Sequence, residues 1–218
     1  MPAQRSLDLP DARRTASETL SEGAVVLRGF AAPESAALVA AIERIAAQAP
    51  FRNMVTPGGH AMSAAMTSCG PLGWIADRRG YRYSATDPES GLPWPKMQAA
   101  FHALAARAAD AAGFPGFAPD SCLINRYGAG ARMGLHQDKD ERDFAQPIVS
   151  VSLGLPATFL WGGAKRAGKP RRIVLENGDV VVWGGKSRLF FHGIDAVEPG
   201  EHPLTGDCRY NLTLRRAL

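Results

Sequence analysis

The chain has 218 residues, of which 21% are charged and 45% hydrophobic, a balance that supports a sizeable core and excludes disorder over the main body. Net charge is +4 and the sequence pI about 9.2, with basic residues spread along the chain, which leans toward a polyanionic partner without naming one. Three well-separated cysteines (Cys69, Cys122, Cys208) without a C-x-x-C pair exclude a disulfide framework and a cysteine-rich zinc site, and the lack of a long apolar run or apolar signal core predicts a cytoplasmic protein with no membrane contact.

Residues 1–20 are polar and aperiodic and are predicted to form a flexible N-terminus, followed by one domain over residues 21–218. A short strand is expected at Ala24–Phe30. Residues Pro33–Gln48 read as a helix, with proline in its first turn, an apolar stripe of Leu38, Ile42 and Ile45, and Pro50 closing it. The segment from Phe51 to Pro95 is dense in Gly, Pro, Met and aromatic residues and only weakly periodic, so it reads as functional rather than regular. A second helix is expected over Pro95–Ala112, with Gly113 as its stop. Short β runs then follow at Ser121–Tyr127, Ile148–Gly154, Ala157–Trp161, Arg171–Leu175, Val180–Trp183, Leu189–His192 and Cys208–Leu214. Asn177-Gly178 reads as a hairpin turn between two of them. Many short strands with Gly, Pro and Asn turns predict a sandwich, jelly roll or barrel.

Alternation within these runs carries the chemistry. In Arg209–Arg215 one face bears Arg209, Asn211, Thr213 and Arg215, and the other bears Tyr210, Leu212 and Leu214. Leu123, Asn125 and Tyr127 share a face of the first run, and Ser150 and Ser152 share one of the second. Turned inward, these faces line a polar pocket with two guanidinium groups. Such a pocket calls for an anion, because buried uncompensated charge is costly.

His136-Gln137-Asp138 places an imidazole and a carboxylate two residues apart, and His192, in an apolar-flanked run, is the best-placed third ligand. Two histidines and one carboxylate with open positions suit non-haem Fe(II) and O2 chemistry. Such a centre needs electrons, and no flavin or haem motif is present. A 2-oxo dicarboxylate that chelates the metal and is itself oxidised supplies them, its carboxylates matching arginine forks. Arg209 and Arg215 lie ~20 Å apart on a straight strand at ~3.3 Å per residue. Either they lean together across a curved strand, or one binds the distal carboxylate while the other works near the keto acid.

These residues, together with Asn125-Arg-Tyr127, the run Phe51–Gly59, Met62–Thr67, Leu72-Gly-Trp74, Leu135–Asp140 and Gly178–Gly185, resemble the AlkB family of Fe(II)/2-oxoglutarate-dependent nucleic acid dealkylases. The resemblance covers Pro50 to Arg215. It implies an α+β fold, with a double-stranded β-helix (jelly roll) core over about 113–216, helices packed on it and an N-terminal nucleotide-recognition lid over about 51–95. It implies iron on His136, Asp138 and His192, with 2-oxoglutarate on Asn125, Tyr127, Arg209, Asn211 and Arg215. Trp74 and His192 would sandwich a flipped alkylated base, with Met66, Tyr81 and Asp140 around it. Thr56, Arg52, His60 and Lys139 are candidates for phosphates, and Arg166 is a further substrate contact.

The implied reaction is the hydroxylation of an N-methyl group on a 1-methyladenine or 3-methylcytosine type of base with Fe(II), 2-oxoglutarate and O2. Succinate and CO2 form from the co-substrate, and the resulting carbinolamine releases formaldehyde. The implied partner is alkylated single-stranded DNA, with double-stranded DNA and RNA left open, bound by a monomer. The chain departs from the family pattern at His60, where tyrosine is expected, and finds no counterpart before Leu20. Trp94, Trp161 and Trp183 read as core, His102 and His202 as solvated, and Lys139–Asp143 as a candidate solvated charge run. Two other readings stay open on sequence alone: a dioxygenase with a protein or small-molecule substrate, and a non-catalytic nucleic-acid-binding module.

Overall fold

The computed structural model describes residues 17–218. Its elements in chain order are β1 (Ser17–Ser21), β2 (Ala24–Leu27), α1 (Ser35–Ala46), β3 (Ala65–Cys69), β4 (Gly73–Asp77), β5 (Gly80–Ser84), α2 (Ala99–Ala111), β6 (Ser121–Tyr127) and β7 (Met133–His136). They continue with β8 (Ile148–Gly154), β9 (Ala157–Trp161), β10 (Arg171–Leu175), β11 (Val180–Trp183), β12 (His192–Ile194) and β13 (Arg209–Arg215). A seven-stranded sheet runs β1-β2-β11-β8-β13-β6-β3, a four-stranded sheet runs β10-β9-β12-β7, and β4 and β5 form a separate hairpin. This is the jelly roll.

The large sheet is covered on both faces. On one face Leu38, Ile42 and Ile45 of α1 and Phe101 and Leu104 of α2 pack with Ile124, Val149, Val151, Leu212 and Leu214. The opposite face packs Leu123, Tyr127 and Trp183 against Phe159, Trp161, Ile173 and Ile194, so that the second core lies between the sheets. Covering on both faces explains why every residue of β8 is buried. On β13 the even positions go to the helices and the odd ones to the space between the sheets, where Asn211, Thr213 and Arg215 border a cavity.

The structure corrects several expectations. Ser17–Ser21 is a strand paired with β2, so residues 17–20 do not belong to a flexible tail; residues 1–16 lie outside the described residues. The sheet draws β1, β2 and β3 from before residue 113, so the jelly roll extends beyond 113–216. Within the expected lid, β3 belongs to that sheet through β6, and only β4 and β5 stand apart. Asn177-Gly178 does not make a hairpin: β10 pairs with β9, whereas β11 pairs with β2 and β8. The turn steps the chain between sheets instead. Gly178 takes φ +88, and a Cβ there would lie 2.6 Å from the Ala32 backbone, while the Asn177 side chain is bonded to Gly154 and Ser35. Leu189–Phe191 is not strand, since Phe190 closes a turn on Ser187 and pairing begins at His192. Among the described residues no helix is long and apolar enough to cross a membrane.

Candidate active site

Antiparallel pairing of β12 with β7 sets His192 directly opposite His136, with ring centroids 4.5 Å apart. Gly193 permits this approach, since a Cβ there would lie 2.6 Å from the Met133 carbonyl. Each imidazole Nδ1 is hydrogen-bonded to a backbone carbonyl two residues earlier, His136 to Gly134 at 2.9 Å and His192 to Phe190 at 3.0 Å. That bond fixes the tautomer and leaves Nε2 as the acceptor. The two Nε2 atoms lie 3.6 and 3.7 Å from the Asp138 carboxylate oxygens, and one potential ligand atom from each residue falls within 4.8 Å of the others.

Asp138 lies beyond the end of β7, where no ladder holds it. Arg215 does so, donating Nε and Nη2 to Asp138 Oδ2 at 2.9 and 2.7 Å. Burial works against the charge, yet the Arg215 guanidinium and the two imidazoles hold the Asp138 carboxyl well below the usual carboxylate range. Burial, joined by the neighbouring His136, pushes His192 down to about 4, so its imidazole is neutral near pH ~7. An ionised carboxylate with a neutral imidazole is the protonation state that a metal ligand needs.

Behind this trio lies a cavity bordered by Asn125, Tyr127, Ser150, Asn211 and Arg215. Arg209 stands beside it, fully buried, its guanidinium 5.3 Å from the Tyr127 ring centroid. Its Nη2 donates to Ser152 Oγ at 2.9 Å, but Nε and Nη1 have no partner, and the Asn125 Oδ1 atom also lacks one. Burial lowers the Arg209 pKa, as desolvation must, and pushes the Tyr127 phenol up to about 12, leaving it a neutral donor. A buried cation with two free donors fits a carboxylate. The two arginines of β13 are therefore not equivalent. Arg215 grips Asp138, whereas Arg209 keeps two buried donors, Nε and Nη1, without a partner.

In front of the trio opens a second cavity of about 510 Å³, bordered by Met62, Met66, Trp74, Tyr81, Lys139, Asp140 and Arg166. That size falls within the ~300–1,000 Å³ of small-ligand pockets. His136 and Arg215 border both cavities, so the two meet at the trio. Trp74 on β4 stacks on Tyr81 of β5, with centroids 5.5 Å apart and planes 12° apart, and donates its indole N–H to Asp140 Oδ2 at 2.8 Å.

A family model for the 2OG-Fe(II) oxygenase superfamily matches residues 23–215. The chain is 60% identical over 200 residues to the alpha-ketoglutarate-dependent dioxygenase AlkB of Escherichia coli K12, covering 92% of this chain and 93% of that one. The chain belongs to the AlkB family. The AlkB homolog of Caulobacter vibrioides is 50% identical over 182 residues, covering 83% of this chain and 81% of its own. The solved structure of OsALKBH1 superposes with a TM-score of 0.82 at 30% identity, covering 92% of this chain and all of that one. As an AlkB-family member the chain is a dioxygenase that uses Fe(II), 2-oxoglutarate and O2, and the His136, Asp138 and His192 donor set fits the metal.

With the AlkB family established, the remaining sequence-predicted residues fall into place unevenly. Met66, Trp74, Tyr81, Asp140 and Arg166 surround the outer cavity, whereas Thr56 does not border it and accepts the His60 amide at 3.2 Å. Arg52 does not border it either and is paired with Asp87 at 2.6 Å. Trp183 is buried as expected, but its ring lies 4.8 Å from His192 and its N–H has no partner. Glu141 was missed. Read as part of a solvated run, it is buried in an ion pair with Arg188 at 3.0 Å, and no local pattern announces a partner 47 residues away.

Proposed function

We propose that the chain removes N-alkyl groups of the 1-methyladenine and 3-methylcytosine type from nucleic acid, with alkylated single-stranded DNA as its preferred substrate. The observation that carries this reading is the meeting of the two cavities at one potential metal site: behind it an unpaired buried guanidinium, before it a stacked aromatic pair joined to a carboxylate. His136, Asp138 and His192 would hold Fe(II). Arg209 would take the distal carboxylate of 2-oxoglutarate, Asn125, Tyr127 and Asn211 would line its length, and Arg215 would stand at the keto acid end beside Asp138. Bound Fe(II), with 2-oxoglutarate and O2, supplies the oxidation that converts an N-methyl group to N-hydroxymethyl while the co-substrate becomes succinate and CO2.

The chain's own residues choose what is oxidised. An alkyl group on N1 of adenine or N3 of cytosine makes the base cationic, and cation–π attraction to Trp74 favours it by ~0.5–2 kcal/mol. The Asp140 carboxylate adds to that preference. Met66 and Tyr81 bound the base, His136 rather than His192 borders the cavity that Trp74 covers, and Lys139 and Arg166 meet phosphates around the opening. Because the lesion blocks pairing, the base is cheaper to extrude. The hydroxymethyl product then loses formaldehyde and the base is restored.

The test is incubation of an oligonucleotide carrying 1-methyladenine with Fe(II), ascorbate and 2-oxoglutarate. The expected result is formaldehyde and restored adenine with the wild-type chain and neither with His136→Ala. Absence of both products with the wild-type chain overturns the proposal.

A further inference from the structure

The segment 137–147 that carries Asp138 contains no helix or strand, so something other than a backbone ladder must hold the carboxylate in place. Arg188 is its clamp. Only 3% exposed, it donates Nη1 to the Asp138 carbonyl at 2.7 Å, Nε to the Gln146 carbonyl at 3.0 Å and Nη2 to Glu141 Oε2 at 3.0 Å, fastening the segment at three points. Glu141 in turn faces two ways. Its Oε1 accepts the Tyr83 hydroxyl of β5 at 2.6 Å and lies 3.4 Å from Nε of Arg215, the same nitrogen that donates to Asp138. The adjacent residue, Asp140, accepts the indole N–H of Trp74 on β4. Two consecutive residues thus receive one hydrogen bond from each strand of the hairpin, and one of them continues by buried charge to Asp138.

We propose that Glu141 and Arg188 are positioning residues that tie the β4–β5 hairpin to the metal carboxylate, so that the hairpin's seating sets how well Asp138 is presented to the ion. Neither side chain touches the metal position. Glu141 steadies Arg215 on Asp138, Arg188 fixes the backbone at Asp138, and Tyr83 is the hairpin's hold on Glu141. A purely structural ion pair would serve stability alone. The link proposed here makes metal affinity depend on a tyrosine hydroxyl of a hairpin that contributes no ligand. It rests on the reading that Asp138 binds metal.

The experiment is calorimetric titration of the full chain with Mn(II), in the presence of 2-oxoglutarate and with thermal unfolding recorded for each variant. Partners that orient metal ligands are typically worth ~10–100-fold in affinity. Glu141→Gln is expected to weaken Mn(II) binding roughly tenfold and Tyr83→Phe, one bond further out, about threefold or more. Arg82→Gln breaks the hairpin's own ion pair with Asp77 and not the link, and is expected to bind as wild type. Should Glu141→Gln fail to fold, Tyr83→Phe decides alone, since it removes one hydroxyl. Wild-type affinity in a folded Tyr83→Phe overturns the inference, as does an equal loss in Arg82→Gln, which would trace the effect to hairpin stability. His136→Ala separates the two levels: Mn(II) binding that survives it refutes the metal reading and the inference with it. Binding that is lost in His136→Ala but unchanged in Glu141→Gln and Tyr83→Phe refutes the inference only.

Discussion

The pocket between the sheets and the cavity under the hairpin differ in how they are built. Asn125, Asn211, Arg209 and Arg215 sit on strands in register with one another, β13 lying between β6 and β8, and all four side chains are buried. The hairpin pairs only with itself, leaves Tyr81 47% exposed, and reaches the metal-bearing segment through the Trp74 and Tyr83 hydrogen bonds. The difference teaches a division of labour. The invariable reactant, a small keto diacid, is met by preorganised buried charge, while the variable reactant, a base in a strand, is met by a more open surface.

The largest expected effect lies in the inner pocket. Arg209→Met removes two unpartnered donors, and charged hydrogen bonds are worth ~1.5–3 kcal/mol each, so the KM for 2-oxoglutarate should rise ~100-fold or more in steady-state assays. The same change should not lower the Tm of the protein without metal or co-substrate, because a buried cation lacking an anion is replaced by an apolar chain. A fall in Tm would mean that Arg209 is structural. In the outer cavity a smaller effect is expected. Trp74→Ala should raise the KM for the methylated oligonucleotide ~10-fold, through lost stacking and cation–π attraction, with 2-oxoglutarate affinity unchanged. A change in both constants would erase the distinction between the regions.

The least perturbing probe is chemical. Cys69 and Cys122 pair across β3 and β6 and are fully buried. Burial, with the neighbouring Cys69 thiol, pushes the Cys122 thiol well above its ordinary value, so little thiolate exists near pH ~8. A thiol reagent should leave Cys122 unmodified in the native protein and label it only after unfolding. Labelling in the native state would show that the sheet opens at that edge.

The same contrast governs what the sequence disclosed. The ranges of β6, β8, β9, β10 and β11 were legible because covered sheet faces leave continuous or alternating apolar runs bounded by Gly and Pro. The strands β4, β5 and β7 were not, although they are no shorter than β11, for each holds a glycine and a polar or charged residue that break the apolar pattern, and each owes its form to its partner. His136, Asp138 and His192 could be named from spacing and flanking residues, but the separate duties of Arg209 and Arg215 could not. Those duties depend on Ser152 facing one arginine and Asp138 facing the other, which chain topology alone decides. Glu141 was hidden for the same reason.

The most direct test of the account compares succinate formed with adenine restored from one oligonucleotide carrying 1-methyladenine, for the wild-type chain and Trp74→Ala at limiting oligonucleotide. Equal amounts of the two products are predicted for the wild type, with restored adenine falling below succinate in Trp74→Ala. Succinate from the wild-type chain with no restored adenine, or equal products at full rate in Trp74→Ala, would contradict it.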